Sequence, residues 1–257
     1  MKSNFMKTKS DVWQVTGDKT SAANEQASRH ASRVTRHGFT LIELLVVISI
    51  MALIAALLFP VTGVIKRQQY LKTATAELNQ IETALDNYKA KYGVYPPSNA
   101  NPGGTYAPPI SPALMSQLYY ELSGTTTTNN GTTFITLDSS SQIKVADVST
   151  AYGVGGFINC SKGSGEDALV ARNFLPGLSS REINKLVTNN GVQTTMLVTS
   201  VGGPDVGYKP LDASGLNPFR YNYPGTNNPS SYDLWIDLRI SGKTNRISNW
   251  NHAPIIL

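Results

Sequence analysis

Residues 39–61 read FTLIELLVVISIMALIAALLFPV, apolar on every side of a helix, with one charge at Glu43 and none from 44 to 59. At 1.5 Å per residue this stretch reaches about 35 Å, against a bilayer core of roughly 30 Å. The pattern predicts a transmembrane helix over 39–61. The competing reading, a buried core helix of a soluble domain, sits poorly with apolarity on all faces.

The pattern then changes to one apolar face. Leu71, Ala74, Leu78, Ile81, Leu85, Tyr88 and Tyr92 recur at spacings of three and four, which predicts an amphipathic extension of the same helix over 62–93. Gly93 stops it, and Pro96 and Pro97 cannot continue it. Pro60 is expected to kink the helix near the membrane exit.

Residues 94–257 form the body, and 94–217 read as loops with short elements. Ser111-Pro112 opens a short helix with Leu114, Met115, Leu118, Tyr119 and Leu122 on its apolar face and Gly124 at its end. Ser179 and Glu182 fit a capping box before Ile183, Leu186 and Val187, which predicts a second helix. The Thr-, Asn-, Gly- and Ser-rich stretches 124–133 and 138–141 read as exposed loop. Strands are predicted over 133–136, 142–145 and 194–201, and Gly202-Gly203-Pro204 as a turn without phosphate-loop character.

The carboxyl-terminal pattern has period two. Leu234, Ile236, Leu238 and Ile240 alternate with Trp235, Asp237 and Arg239, the mark of a half-buried strand. Residues 219–223 precede it as a short strand turned by Pro224-Gly225, and Ser241-Gly242 turns it into a hairpin with 245–250. The architecture expected is α+β, a long helix packed across a small antiparallel carboxyl-terminal meander.

Charge places the segments. The formal net charge is +5, but residues 1–38 hold seven Lys/Arg against three Asp/Glu, whereas the remainder is fifteen against fourteen. The basic character belongs to the amino-terminal segment, which is expected to stay cytoplasmic and leave the body outside. A body near +1 lacks the footprint of a nucleic-acid binder. His30 and His37 lie in that same segment and His252 stands alone, so a histidine triad or multi-histidine metal site has nothing to be built from. Cys160 is the single cysteine and reads as a packed thiol. No enzymatic activity is expected.

The run Arg36-His37-Gly38-Phe39-Thr40-Leu41-Ile42-Glu43 resembles the processing site of type IV pilins and type II secretion pseudopilins. The resemblance implies that prepilin peptidase cuts between Gly38 and Phe39 on the cytoplasmic side and that Phe39 is then N-methylated. It implies that Glu43 serves assembly by pairing with the amine of Phe39 in a neighbouring subunit, and that Pro60 is the helix kink. A carboxylate inside a membrane segment is costly and usually has such a partner. The leader of 38 residues, polar enough to stay unstructured, is long for a pseudopilin and leaves Met1 and Met6 both as starts.

Residues 217–225, then Ser231-Tyr232-Asp233-Leu234-Trp235, and finally Ser248-Asn249-Trp250-Asn251 resemble the end of the type II secretion major pseudopilin. The resemblance covers about 55 residues at the start of the mature chain and about 40 at its end. It implies a homo-oligomeric filament in the inner membrane with a periplasmic body, and as partners prepilin peptidase, the assembly platform and minor pseudopilins. A pilus pilin for adhesion, motility or DNA uptake is the alternative. The family's acidic calcium loop has no counterpart here, since residues 236–247 offer Asp237 alone beside Lys243 and Arg246. No cofactor or metal is expected, and Arg239 is the expected partner of Asp237.

Overall fold

A computed structural model describes residues 38–58, 61–100, 112–128, 130–162, 169–176, 184–189, 191–211 and 213–257. The chain divides into two compact units, residues 1–52 and 53–257. The first unit contributes the amino-terminal part of helix α1, Leu41–Leu58. Its 18 residues rise about 27 Å. Among the described residues no helix is long and apolar enough to cross a membrane. The expected kink at Pro60 lies outside the described residues, as do residues 1–37 of the leader.

In the second unit helix α2, Val61–Tyr92, buries the face that the three-four spacing predicts. Ala74, Ile81, Leu85 and Tyr88 are fully buried, with Leu71 and Leu78 nearly so. That stripe packs on strands β8 (Asp233–Ile240) and β9 (Lys243–Ser248) of an antiparallel sheet ordered β10-β9-β8-β7, where β7 is Arg220–Asn222 and β10 is Asn251–Ile256. Leu234, Ile236, Leu238, Ile240 and Ile247 supply the facing layer. Each such side chain removed from water is worth roughly 1.5–3 kcal/mol before entropy is counted. Ser241 and Gly242, with φ of 51° and 78°, make the β8–β9 turn at the positions the sequence marks.

The middle of the chain holds more regular structure than its composition suggests. The predicted helix from Pro112 breaks into a 3-10 turn, Pro112–Leu114, and helix α3, Leu118–Ser123. Gly124 ends α3 at φ 70°, and a Cβ there would lie 2.8 Å from the Arg172 carbonyl oxygen, so only glycine fits. A second sheet, β3-β2-β1-β4, contains β1 (Thr125–Thr128), β2 (Thr133–Thr136), β3 (Gln142–Lys144) and β4 (Cys160–Ser161). Strand β1 corrects the loop expected over 124–133: four β-branched threonines suit a pleated strand, and Thr125 is fully buried. Helix α4, Val145–Tyr152, follows β3 directly. Cys160 is buried and makes no disulfide.

The helix expected around Ile183, Leu186 and Val187 is not one. Residues Asn184–Asn189 form strand β5, paired with β6, Val192–Leu197, in a two-stranded sheet. The register closes on Asn189↔Val192, with Gly191 at φ 78° just before Val192, and the sequence between the strands is Asn-Gly. Asn-Gly is the strongest short hairpin signal, and it outweighs the helix-like spacing upstream. The proposed cap residues Ser179 and Glu182 lie outside the described residues. β6 also replaces the strand expected over 194–201, starting two residues earlier and ending at Leu197.

Candidate functional site

Gly38, Phe39 and Thr40 precede the first turn of α1, outside any regular element. Thr40 and Glu43 close a reciprocal cap. The Thr40 N–H and hydroxyl donate to Glu43 Oε2 at 2.8 and 2.7 Å, and the Glu43 N–H donates back to the Thr40 hydroxyl at 3.2 Å. Orphan donors at a helix start are satisfied this way. The Thr-x-x-Glu spacing signals it in the sequence, although the resemblance-based reading of Glu43 passed over it. A Cβ at Gly38 would meet nothing within 4 Å, so local packing gives no reason for glycine.

Helix α1 keeps its apolar side chains in the open. Phe39 is 79 % exposed, Leu41 83 % and Met51 66 %, with Leu44 through Ile48 about half exposed. Its one internal hydroxyl, Ser49, donates to the Leu45 carbonyl at 2.7 Å and so carries its polarity inside the helix. The start of α2 is similar, with Val64 and Ile65 exposed. An apolar surface of this extent on a described helix needs a cover, either lipid or other helices.

Three aspartates at the carboxyl-terminal sheet sit in satisfied positions. Asp233 is buried and accepts four bonds, from the N–H groups of Thr226, Asn227 and Asn228 and from Asn227 Nδ2, at 2.8–3.0 Å. It therefore holds the loop between β7 and β8, and a Cβ at Gly225 would sit 2.6 Å from its Oδ1. Asp205 accepts the N–H groups of Ser241 and Gly242, pinning the β8–β9 turn. Asp237 is not partnered by Arg239, which is exposed. It binds Arg246 in two-pronged fashion at 2.7 and 3.0 Å, with Arg220 Nη1 at 3.8 Å. The cross-strand register Asp237↔Arg246 makes them opposite neighbours on one face, closer than two residues apart along a strand.

Two buried carboxylates escaped the sequence reading. Glu77 receives Thr199 Oγ1 at 2.6 Å and the N–H and hydroxyl of Ser200, tying α2 to the segment after β6. Glu121, fully buried on α3, accepts Tyr88 OH at 2.9 Å and the N–H groups of Ile158 and Asn159 at 3.0 Å. Burial pushes its carboxyl above the ordinary glutamate value, against the pull of those three donors.

In the terminal motif Asn249 donates to the Tyr232 carbonyl and exchanges bonds with the backbone of Leu234, so it locks the start of β8. Among the described residues, no group of three or more His, Cys, Asp or Glu stands together as metal ligands would.

No curated protein and no solved structure matches the chain. Residues 33–59 match the family model described as the prokaryotic N-terminal methylation motif. That stretch holds Gly38, Phe39 and Glu43 and all of α1, and its match indicates the amino terminus of a type IV pilin-like prepilin, whether pilin or pseudopilin.

Proposed function

We propose that this chain is a structural subunit of a type II secretion pseudopilus. Prepilin peptidase cuts it between Gly38 and Phe39 and methylates Phe39, and the apolar helix then anchors it in the inner membrane. There it assembles with further copies, minor pseudopilins and the assembly platform into a periplasmic filament supporting export. The observation that carries this reading is the coincidence of the methylation motif with an apolar helix exposed on all sides, directly before an amphipathic helix seated on an antiparallel sheet. Apolar residues on both sides of α1, from Phe39 and on to residue 61, extend the stretch to bilayer length.

The geometry is compatible with this at Gly38, where no contact among the described residues requires a glycine. The carboxyl-terminal motif around Asn249 and Trp250 favours a pseudopilin over a pilus pilin. The test is intact-mass measurement of membrane-extracted protein from cells with and without a prepilin peptidase. A mature chain beginning at methylated Phe39 is expected only with the peptidase. A mass retaining residues 1–38 in its presence overturns the processing claim.

A further inference from the structure

One end of the carboxyl-terminal sheet lies beside the start of α2. Arg67 Nη2 donates to Asn245 Oδ1 at 2.7 Å, and Asn245 of β9 is the cross-strand partner of Ile256 on β10. Leu257 follows, its N–H on the Thr244 carbonyl at 2.9 Å, and the β8–β9 turn at Ser241-Gly242 closes the same end. Asp205 joins it by accepting both turn N–H groups, and Val206 comes next in the chain.

Two features of this end face solvent. Its apolar side chains stand in the open: Val64, Ile65, Val206, Ile256 and Leu257 are all more than half exposed. The charge among them is of one sign. Lys66, Lys72, Arg239 and Lys243 are exposed, and Arg67 is half-buried. Against them stands Asp205, held by the turn, while Asp237 further along the sheet is answered by Arg246. Apolar groups interleaved with cations suit an anionic lipid surface, where the first enter the headgroup layer and the second meet phosphates. A purely apolar partner would strand the cations, and a soluble anion would leave the apolar side chains in water.

The course of the chain brings this end to such a surface. Val64 comes three residues after the apolar stretch 39–61. Along α2, Arg67 lies about 9 Å from Val61, comparable with the screening length of about 8 Å at physiological salt. We propose that this end of the body docks on anionic phospholipid, a membrane contact separate from the anchoring helix. The docking rests on the reading of 39–61 as that anchor.

The experiment uses the full chain reconstituted in vesicles of phosphatidylcholine, with and without phosphatidylglycerol. A fluorophore is attached through Ile256→Cys or Val206→Cys. Val170→Cys is the distant control, exposed, with its carbonyl bound by Lys91 about 36 Å along α2 from Arg67. Cys160 is buried, and the parent chain reports any labelling there. Quenching by spin-labelled phosphatidylcholine reads contact with the bilayer. At Ile256 and Val206 it should be at least about twofold greater with phosphatidylglycerol than without, and high salt should remove the difference. Joint replacement Lys66→Gln, Lys72→Gln and Lys243→Gln should remove it too. Those lysines are exposed, so the fold and the basic leader stay intact. The Val170 probe should not change under any condition.

Equal quenching with and without phosphatidylglycerol, equal quenching at Val170, or an effect that survives the lysine replacements would each overturn the proposal. Shielding of the Ile256 probe from both the lipid quencher and aqueous iodide would overturn it too, by marking a contact between copies. Vesicle flotation separates the docking from the anchor. A chain that floats with an unquenched probe defeats the docking alone, and a chain that does not float defeats both.

Discussion

Thr40 and Glu43 bind each other three times over: the carboxylate takes the Thr40 N–H and hydroxyl, and the Glu43 N–H gives to that hydroxyl. In the single chain, then, Glu43 already has a role as the cap of α1. The proposed pairing with a neighbour's Phe39 amine must compete with that cap or share the carboxylate with it.

This separates two substitutions. Glu43→Ala removes both cap and charge. Glu43→Gln keeps an oxygen for the Thr40 N–H and removes only the charge. Both are expected to insert in the membrane at normal subunit levels, and both to form few or no filaments. Filament yield beside immunoblotted subunit level is the measurement. Normal yield from Glu43→Gln would leave Glu43 as a helix cap and end the charge-pairing role.

The α2 stripe makes a second prediction. Leu85 is fully buried in the core, on the helix that packs on the carboxyl-terminal sheet. Leu85→Ala should cost about 2–5 kcal/mol, through lost burial and the cavity left behind. Exposed Lys72 on the same helix changes stability by less than about 0.5 kcal/mol when replaced by Ala. Urea unfolding of the solubilised protein checks both, and equal midpoints would show that the stripe is not the core.

Elements whose pattern repeats were the legible ones. Three-four spacing from Leu71 to Tyr92 gave α2 its buried face, and strict alternation from Leu234 to Ile240 gave β8. Where local signals conflict, the reading failed: Leu186 and Val187 follow a plausible cap, yet Asn190-Gly191 closes a hairpin. Thr125–Thr128 has loop composition and strand chemistry. Edge strand β10 has Pro254 within it, which disguises it. Glu77 and Glu121 were invisible because their partners lie 122 and 33 to 38 residues away. The processing motif was legible because it is contiguous, whereas the lipid-docking end exists only once Arg67 meets Asn245 and β10 pairs with β9.

Glu121 gives a pH prediction. Its folded-state carboxyl titrates above the ordinary value because burial disfavours the charge. Such a group contributes its full stability below the unfolded value, about 4.3, and loses it as pH rises through the folded one. Urea midpoints should therefore fall as pH climbs from that point into the mildly acidic range. Glu121→Gln should abolish that slope. It should also lower stability at every pH by about 1–3 kcal/mol, since an amide N–H₂ would confront a backbone donor. A slope that persists in the variant assigns the titration to another group.

Calcium provides the last test, because the family that the chain resembles stabilises its terminal loop with the ion and this chain has other means. Calcium wants six to eight oxygens, several of them carboxylates. Here the three acids of the carboxyl-terminal sheet, its β7–β8 loop and its β8–β9 turn are occupied. Asp233 gives both oxygens to the loop it organises, Asp205 gives both to the β8–β9 turn, and Asp237 gives both to Arg246. Recruiting any of them to a metal would break bonds that hold the same segment. The expected result is that melting of the full solubilised chain is the same in millimolar calcium and in excess chelator. A ligand at a hundred times its Kd stabilises by about 2.7 kcal/mol, so a real site could not hide. Asp233→Asn supplies the contrast. It keeps an oxygen for the N–H groups of Thr226 and Asn227 but sets an amide N–H₂ against the N–H of Asn228, and should cost about 1–3 kcal/mol whether or not calcium is present. A calcium-dependent rise in melting temperature for the wild type, lost in Asp233→Asn, would show that Asp233 serves an ion and that the loop is not self-sufficient.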